Sequence, residues 1–218
     1  EFYLGMEIAI PSPHVVVLTS RSYITSLCSR CLPKPAGDYP AVHTPGHPRL
    51  LDFYEVALST RDVPKSRDLV VRYRTIVGGC LWPAPNTRPD ILFECGVLAR
   101  AFTFPTEDLY NCAVRVLVYL GQHASYGIRF TGLSDNADVM TAWSDSDWSI
   151  ARSVTGGCLQ YAGGNIFAVS KRQDCAAGSS THAEIVAAST IANEAVWLRG
   201  LLEEVLRPQR SPTPLFMD

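Results

Sequence analysis

Residues 142–149, Ala-Trp-Ser-Asp-Ser-Asp-Trp-Ser, decide how the last third of the chain is read. If a strand runs through them, Asp145 and Asp147 share one face, because successive side chains alternate. Two carboxylates at a strand end are hard oxygen donors of the kind a divalent cation takes. The same residues also make a turn, since Asp and Ser side chains hydrogen-bond nearby backbone. Their surroundings have to separate the two readings.

Around this stretch the pattern is that of strands followed by a helix. Val139 to Ser144, Gly157 to Tyr161 and Ile166 to Ser170 read as strands, with Gly163 and Gly164 turning the hairpin between the last two. A long helix opens at Ser-Thr-His-Ala-Glu, with Ile185, Ala188, Ala192, Ala195, Leu198, Leu202 and Val205 as its expected buried stripe. Thr181 and Glu184 spell the T-x-x-E capping box at its start. Pro208 ends the helix, and Thr213 to Asp218 begins a last strand.

Upstream the pattern is mostly helical. Phe2 to Ile10 and His14 to Thr19 form a hairpin across Pro11 to Pro13, and a short helix starts near Ser22. Residues 33–48 are rich in proline and read as an irregular connector; the next twenty show no clean period. Tyr73, Ile76, Val77, Cys80 and Leu81 have the offsets of an amphipathic helix that Pro83 and Pro85 terminate. A second helix runs from Pro89 to about Phe102. A third, capped by Thr106, carries Leu109, Ala113, Val116, Leu117 and Leu120 on one stripe before Gly121.

Composition bounds the function. The chain has 218 residues, is 47% hydrophobic and carries a net charge of −2. It can bury a sizeable core and has no global basic field, so any nucleic-acid contact must come from a local patch. No apolar run reaches the length of a spanning helix, and no basic-then-apolar leader opens the sequence, so the expectation is an intracellular, cytoplasmic protein without membrane contact. Seven cysteines, an odd number, suit free thiols in a reducing compartment. Cys28, Cys31, His43 and His47 approach a zinc-finger spacing, but Pro45 and Gly46 break the helix that would carry both histidines, and no zinc is expected.

Beyond these patterns, a series of words appears in order: YRTIVGG, NTRPDI, FPTEDLYNCAVRVLVYL, YGIRF, SDSDW, RSVTGG, SKRQ, SSTHAEIVAAS and EAVWLRGLLEE. They resemble the end of a copia-type retrotransposon Pol polyprotein over about residues 73 to 204, and FYLGMEI with SRSYITSL extends a fainter match to the N-terminus. The resemblance implies an α/β (α+β) chain in three parts. Residues 1–50 would be a reverse transcriptase C-terminal hairpin, short helix and Pro-rich connector, and 51–132 a helical thumb or connection region. Residues 133–218 would be a ribonuclease H-like mixed sheet with a long helix, incomplete beyond its third carboxylate.

Ribonuclease H cuts the RNA strand of an RNA–DNA hybrid with two magnesium ions held by clustered carboxylates. By resemblance, Asp145, Glu184 and Asp218 are the catalytic and metal-binding residues, with Mg2+ or Mn2+ as cofactor and no small-molecule cofactor. Asp147 matches no ligand, and His182 stands where the family usually has an acidic residue. Arg152, Ser153, Thr155, Lys171 and Arg172 are expected to meet phosphates or 2′-hydroxyls of the hybrid. The partners implied are the hybrid and the remainder of the Pol polyprotein. The family's Tyr-x-Asp-Asp polymerase motif is absent from these residues, so DNA synthesis is not expected; the family's later elements, histidine and fourth aspartate are absent from them too, so the expectation is a nuclease segment that is inactive alone. Virus-like particles and the nucleus are further compartments that the resemblance allows. The competing class is a non-catalytic nucleic-acid-binding or protein-interaction module.

Overall fold

The computed structural model describes residues 1–132, 138–149 and 152–217. It is a mixed α+β chain with two four-stranded sheets. One has the order β1-β2-β3-β4, formed by Phe2–Tyr3, Met6–Ser12, Val15–Thr19 and Gly127–Thr131. The chain divides into two compact units, residues 1–8 with 18–127 and residues 9–17 with 128–218.

The first unit is helical. It contains α1 (Arg21–Cys31), α2 (Leu50–Ser59), α3 (Arg67–Leu81), α4 (Pro83–Asn86), α5 (Leu92–Ala99) and α6 (Glu107–Gln122). Thr106 caps α6 as expected, its side chain accepting from the Leu109 N–H at 3.3 Å. The α6 stripe is buried throughout, packed on α1, α2, α3 and α5.

The helix α2 lies in the segment where no period was expected. Leu50, Tyr54 and Ala57 supply its buried face at helical spacing, but Leu51 and Val56 are exposed and blur the pattern. Its N-cap, Arg49, adds no side-chain hydrogen bond that sequence could reveal. The strand β4, in the word YGIRF, was likewise not anticipated.

The preceding Asn-Thr-Arg-Pro-Asp segment closes the unit from inside. Arg88 is 1% exposed, bonds both oxygens of Asp90, and donates through Nη1 to His123 O at 3.0 Å. Its guanidinium also lies over the rings of Tyr119 and Tyr126.

The second unit holds β5 (Thr141–Asp147), β6 (Val154–Tyr161), β7 (Gly164–Arg172), α7 (Ser180–Glu204) and β8 (Leu215–Phe216). Its sheet has the order β7-β6-β5-β8. β5, β6 and β7 form an antiparallel meander, and β8 returns parallel to β5, with Ala142 opposite Leu215 and Trp143 opposite Phe216. The meander strands are longer than expected, because their polar ends at Asp145–Asp147 and Lys171–Arg172 remain paired.

The turn between β6 and β7 is one residue earlier than the glycine pair suggested. Ala162 and Gly163 both have positive φ, while Gly164 is buried because Phe130 occupies the space of a side chain there. Two such residues give the twist a tight hairpin needs.

The helix α7 packs on β5 and β6 through Ala183, Ala187, Ile191, Ala195 and Leu198. Of the expected stripe Ala195 and Leu198 are buried and Leu202 packs against the core, whereas Ile185 and Val205 are each 58% exposed and Ala192 is exposed. Alanines and large aliphatics occur all round this helix, so periodicity alone misphased its N-terminal half, where the sheet accepts Ala183, Ala187 and Ile191. By length and composition α7 could also cross a membrane, contrary to the sequence reading. Here its small residues cover the sheet.

Candidate functional site

Asp145 and Glu184, two of the three carboxylates predicted from sequence, lie at one end of the second unit's sheet. Ala142 and Ser144 are buried toward α7, so the alternation of β5 directs Trp143, Asp145 and Asp147 to the other face. Gly157, which pairs with Ser144, confirms the phase: a Cβ on it would lie 2.5 Å from Ile191 Cγ1. Asp145 is exposed near the end of the ladder, and its Oδ1 accepts from the Ser146 N–H at 2.7 Å. Its other oxygen takes no hydrogen bond among the described residues.

Glu184 reaches the same end from the helix side. β7 finishes at Arg172, opposite Val154, which in turn pairs with Asp147. The next residue, Gln173, donates through its backbone N–H to Ser153 O at 2.8 Å, and through its side chain to the carbonyl of Ala183, the neighbour of Glu184. β8 runs parallel to β5 and therefore toward this end as well. Asp218 lies outside the described residues.

The helix start differs from the expected capping box. Ser179 is the N-cap, its Oγ accepting from the His182 N–H at 3.1 Å, while His182 Nδ1 accepts from the Gly178 N–H. With the cap two residues earlier than Thr181, Glu184 sits past the positions that cap a helix. It is half-buried and makes no hydrogen bond or ion pair among the described residues. The competing structural duty for this carboxylate is thereby removed.

The five residues expected to touch nucleic acid divide into two groups. Ser153 and Thr155 are 0% and 3% exposed, and their hydroxyls are used inside the fold: Ser153 Oγ accepts from the Ser149 N–H and Thr155 Oγ1 from Gln173 Nε2. Arg152, Lys171 and Arg172 are exposed, with Lys171 3.6 Å from Asp174. The strand alternation that buries Thr155 was legible in principle, but the expected strand began after it. Gln173 was missed as a functional candidate; no spacing or residue pattern sets it apart from Lys171 and Arg172 before it.

No family model matches the chain, and no solved structure matches it at a significant level. It is 32% identical over 219 aligned positions to the retrovirus-related Pol polyprotein from transposon RE1 of Arabidopsis thaliana, covering 97% of this chain and 14% of that protein. It is 32% identical over 139 residues to the corresponding polyprotein from transposon TNT 1-94 of Nicotiana tabacum, 62% of this chain and 10% of that protein. Secreted RxLR effector protein 161 of Plasmopara viticola is 34% identical over 132 residues, 59% of this chain and 92% of that protein. The chain is a distant homologue, at about 32% identity, of copia-type retrotransposon Pol polyproteins.

As a Pol homologue it spans a tenth to a seventh of the length of the polyproteins it matches. The donors at its sheet end are carboxylate oxygens, which suit magnesium or manganese and not a thiolate-seeking metal. Among the described residues no group of three or more His, Cys, Asp or Glu side chains gathers to hold an ion. Two residues of the zinc-like spacing have other partners in the helical unit. Cys28 is buried with its thiol on Leu117 O, burial pushes that thiol up to about 11, and His47 Nδ1 accepts from the Arg49 N–H.

Proposed function

We propose that this Pol segment comprises the connection region of a reverse transcriptase and part of a ribonuclease H-like domain, and that its sheet-end carboxylates serve hydrolysis of the RNA strand of RNA–DNA hybrids. The observation that carries the reading is the strand order β7-β6-β5-β8. A crossover through α7 returns the chain parallel to β5, so the strand-borne Asp145 and the helix-borne Glu184 belong to one end of one sheet.

In this reading Asp145 and Glu184, with Asp218 as the third carboxylate the resemblance implies, hold magnesium or manganese. When bound, such ions activate water and stabilise the leaving oxygen. The protein's own part is orientation: the Ser146 N–H fixes one Asp145 oxygen and leaves the other free. Arg152, Lys171 and Arg172 meet phosphates of the hybrid, a role their exposure supports, and the rest of the Pol polyprotein is the second partner. Asp145 and Glu184 alone offer fewer oxygens than a pair of octahedral magnesium ions needs, so cleavage in this reading depends on Asp218 and on further ligands.

The test is cleavage of a labelled RNA–DNA hybrid in magnesium by this chain and by a version extended with the following region of the RE1 polyprotein. The extended protein should cut the RNA strand, spare single-stranded RNA and duplex DNA, and lose activity with Asp145→Asn or Glu184→Gln. Cleavage that survives both substitutions overturns the assignment. Hybrid binding without any cleavage identifies the non-catalytic module instead.

A further inference from the structure

Gln173 is 4% exposed, and a glutamine so buried in a sheet-to-helix junction calls for a reason. Its backbone N–H is held by Ser153 O at 2.8 Å. Its Nε2 donates to Thr155 Oγ1 on β6 at 3.2 Å and to Ala183 O in the first turn of α7 at 2.9 Å. A carbonyl cannot donate, so the Ala183 contact fixes the amide orientation with Nε2 toward the helix.

That orientation has a cost. Gln173 Oε1 is buried and accepts no hydrogen bond among the described residues, as is also true of the Ser144 and Ser146 hydroxyls on the same face of the sheet. A half-satisfied buried amide is less stable than an apolar residue of the same shape unless the bonds it does make perform a task. The bridge to Ala183 supplies one. It is the polar tie between the sheet end that carries Asp145 and the helical turn that carries Glu184.

We propose that Gln173 is a positioning residue: its amide clamps the first turn of α7 to β6 and thereby sets where the Glu184 carboxylate stands relative to Asp145. The inference rests on the reading of these two carboxylates as one metal-binding site, and its test separates the two ideas. Gln173→Met keeps the length and removes both side-chain donors. In the full chain, hydrogen exchange should accelerate tenfold or more for the amides of residues 183–187 and remain unchanged for 195–202, whose packing does not involve Gln173.

The second readout is paramagnetic broadening of side-chain carboxyl signals by millimolar Mn2+. Asp145 and Glu184 should broaden together in the unsubstituted chain, and Gln173→Met should abolish the effect at Glu184 while keeping it at Asp145. A merely structural glutamine would change exchange and leave the paired broadening intact, which overturns the positioning role. Unchanged exchange overturns the clamp itself. Broadening at neither carboxylate in the unsubstituted chain overturns the metal-site reading, and with it the positioning role, whatever the exchange shows. If Gln173→Met fails to fold, Thr155→Val, which removes one side-chain partner of the clamp, takes its place in the same comparison.

Discussion

Arg88 grips Asp90 with two parallel hydrogen bonds, Nε to Oδ1 at 2.9 Å and Nη2 to Oδ2 at 2.7 Å, and Tyr119 OH adds a third contact to Oδ2 at 2.8 Å. Burial pushes the Asp90 carboxyl up, but the guanidinium and the phenol outweigh it and hold the group below its ordinary value. A depressed carboxylate adds stability above its unfolded value, near pH 4, that is lost as pH falls through the folded one. Asp90→Asn should flatten the acid limb of the stability curve. Arg88→Ala, which leaves Asp90 without its buried partner, should cost about 3–5 kcal/mol in urea unfolding of the helical unit.

The sheet and α7 approach too closely at Gly157 for any side chain. A methyl group there would meet Ile191 and lie 2.8 Å from Trp143 O. Gly157→Ala should therefore destabilise by about 1–3 kcal/mol. Pairing it with Ile191→Val should recover part of the loss and not all of it, because the clash with the backbone oxygen remains; denaturation midpoints of the four proteins decide.

The identity of the α7 cap separates two substitutions that look alike in sequence. Ser179→Ala removes the hydrogen bond to the His182 N–H and should cost about 0.5–2 kcal/mol. Thr181→Ala should be nearly silent. Equal effects in thermal unfolding would restore the capping-box reading.

Exposed and buried members of the proposed nucleic-acid surface should respond differently. Charge reversal at Arg152, Lys171 or Arg172 should weaken hybrid binding and lower the slope of its salt dependence by roughly one for each phosphate no longer neutralised. Thr155→Val should leave binding unchanged and reduce stability by about 1 kcal/mol, since its hydroxyl serves Gln173. Fluorescence anisotropy across a salt series measures the binding, and urea unfolding the stability.

Where hydrophobic period and cap chemistry agreed, the fold was legible in the chain: α6 is the clear case, with its Thr106 cap and one buried stripe. The mixed α+β class and the sequence of meander, helix and returning strand could also be read. What could not be read is instructive. Residues 50–59 lack a capping signal and carry apolar residues outside their buried face, so α2 looked aperiodic. α7 is apolar on more than one side, and only the steric demand of Gly157 and its neighbours selects Ile191 over Ile185. At the site, the residue types of Asp145 and Glu184 were visible, whereas the release of Glu184 from capping depends on Ser179, two residues before the expected start. Gln173 is identified by its burial and partners, which spacing does not encode.

The pairing of β8 with β5 also orders events in time. β5, β6 and β7 are joined by local connections, so the meander can form early, whereas the partners Ala142 and Leu215 are about seventy residues apart and meet only after α7 has crossed the sheet. During synthesis the open edge of β5 therefore waits, unpaired, until the strand that covers it has left the ribosome. That interval is when this protein is most exposed to pairing with another chain, and any change that delays α7 lengthens it.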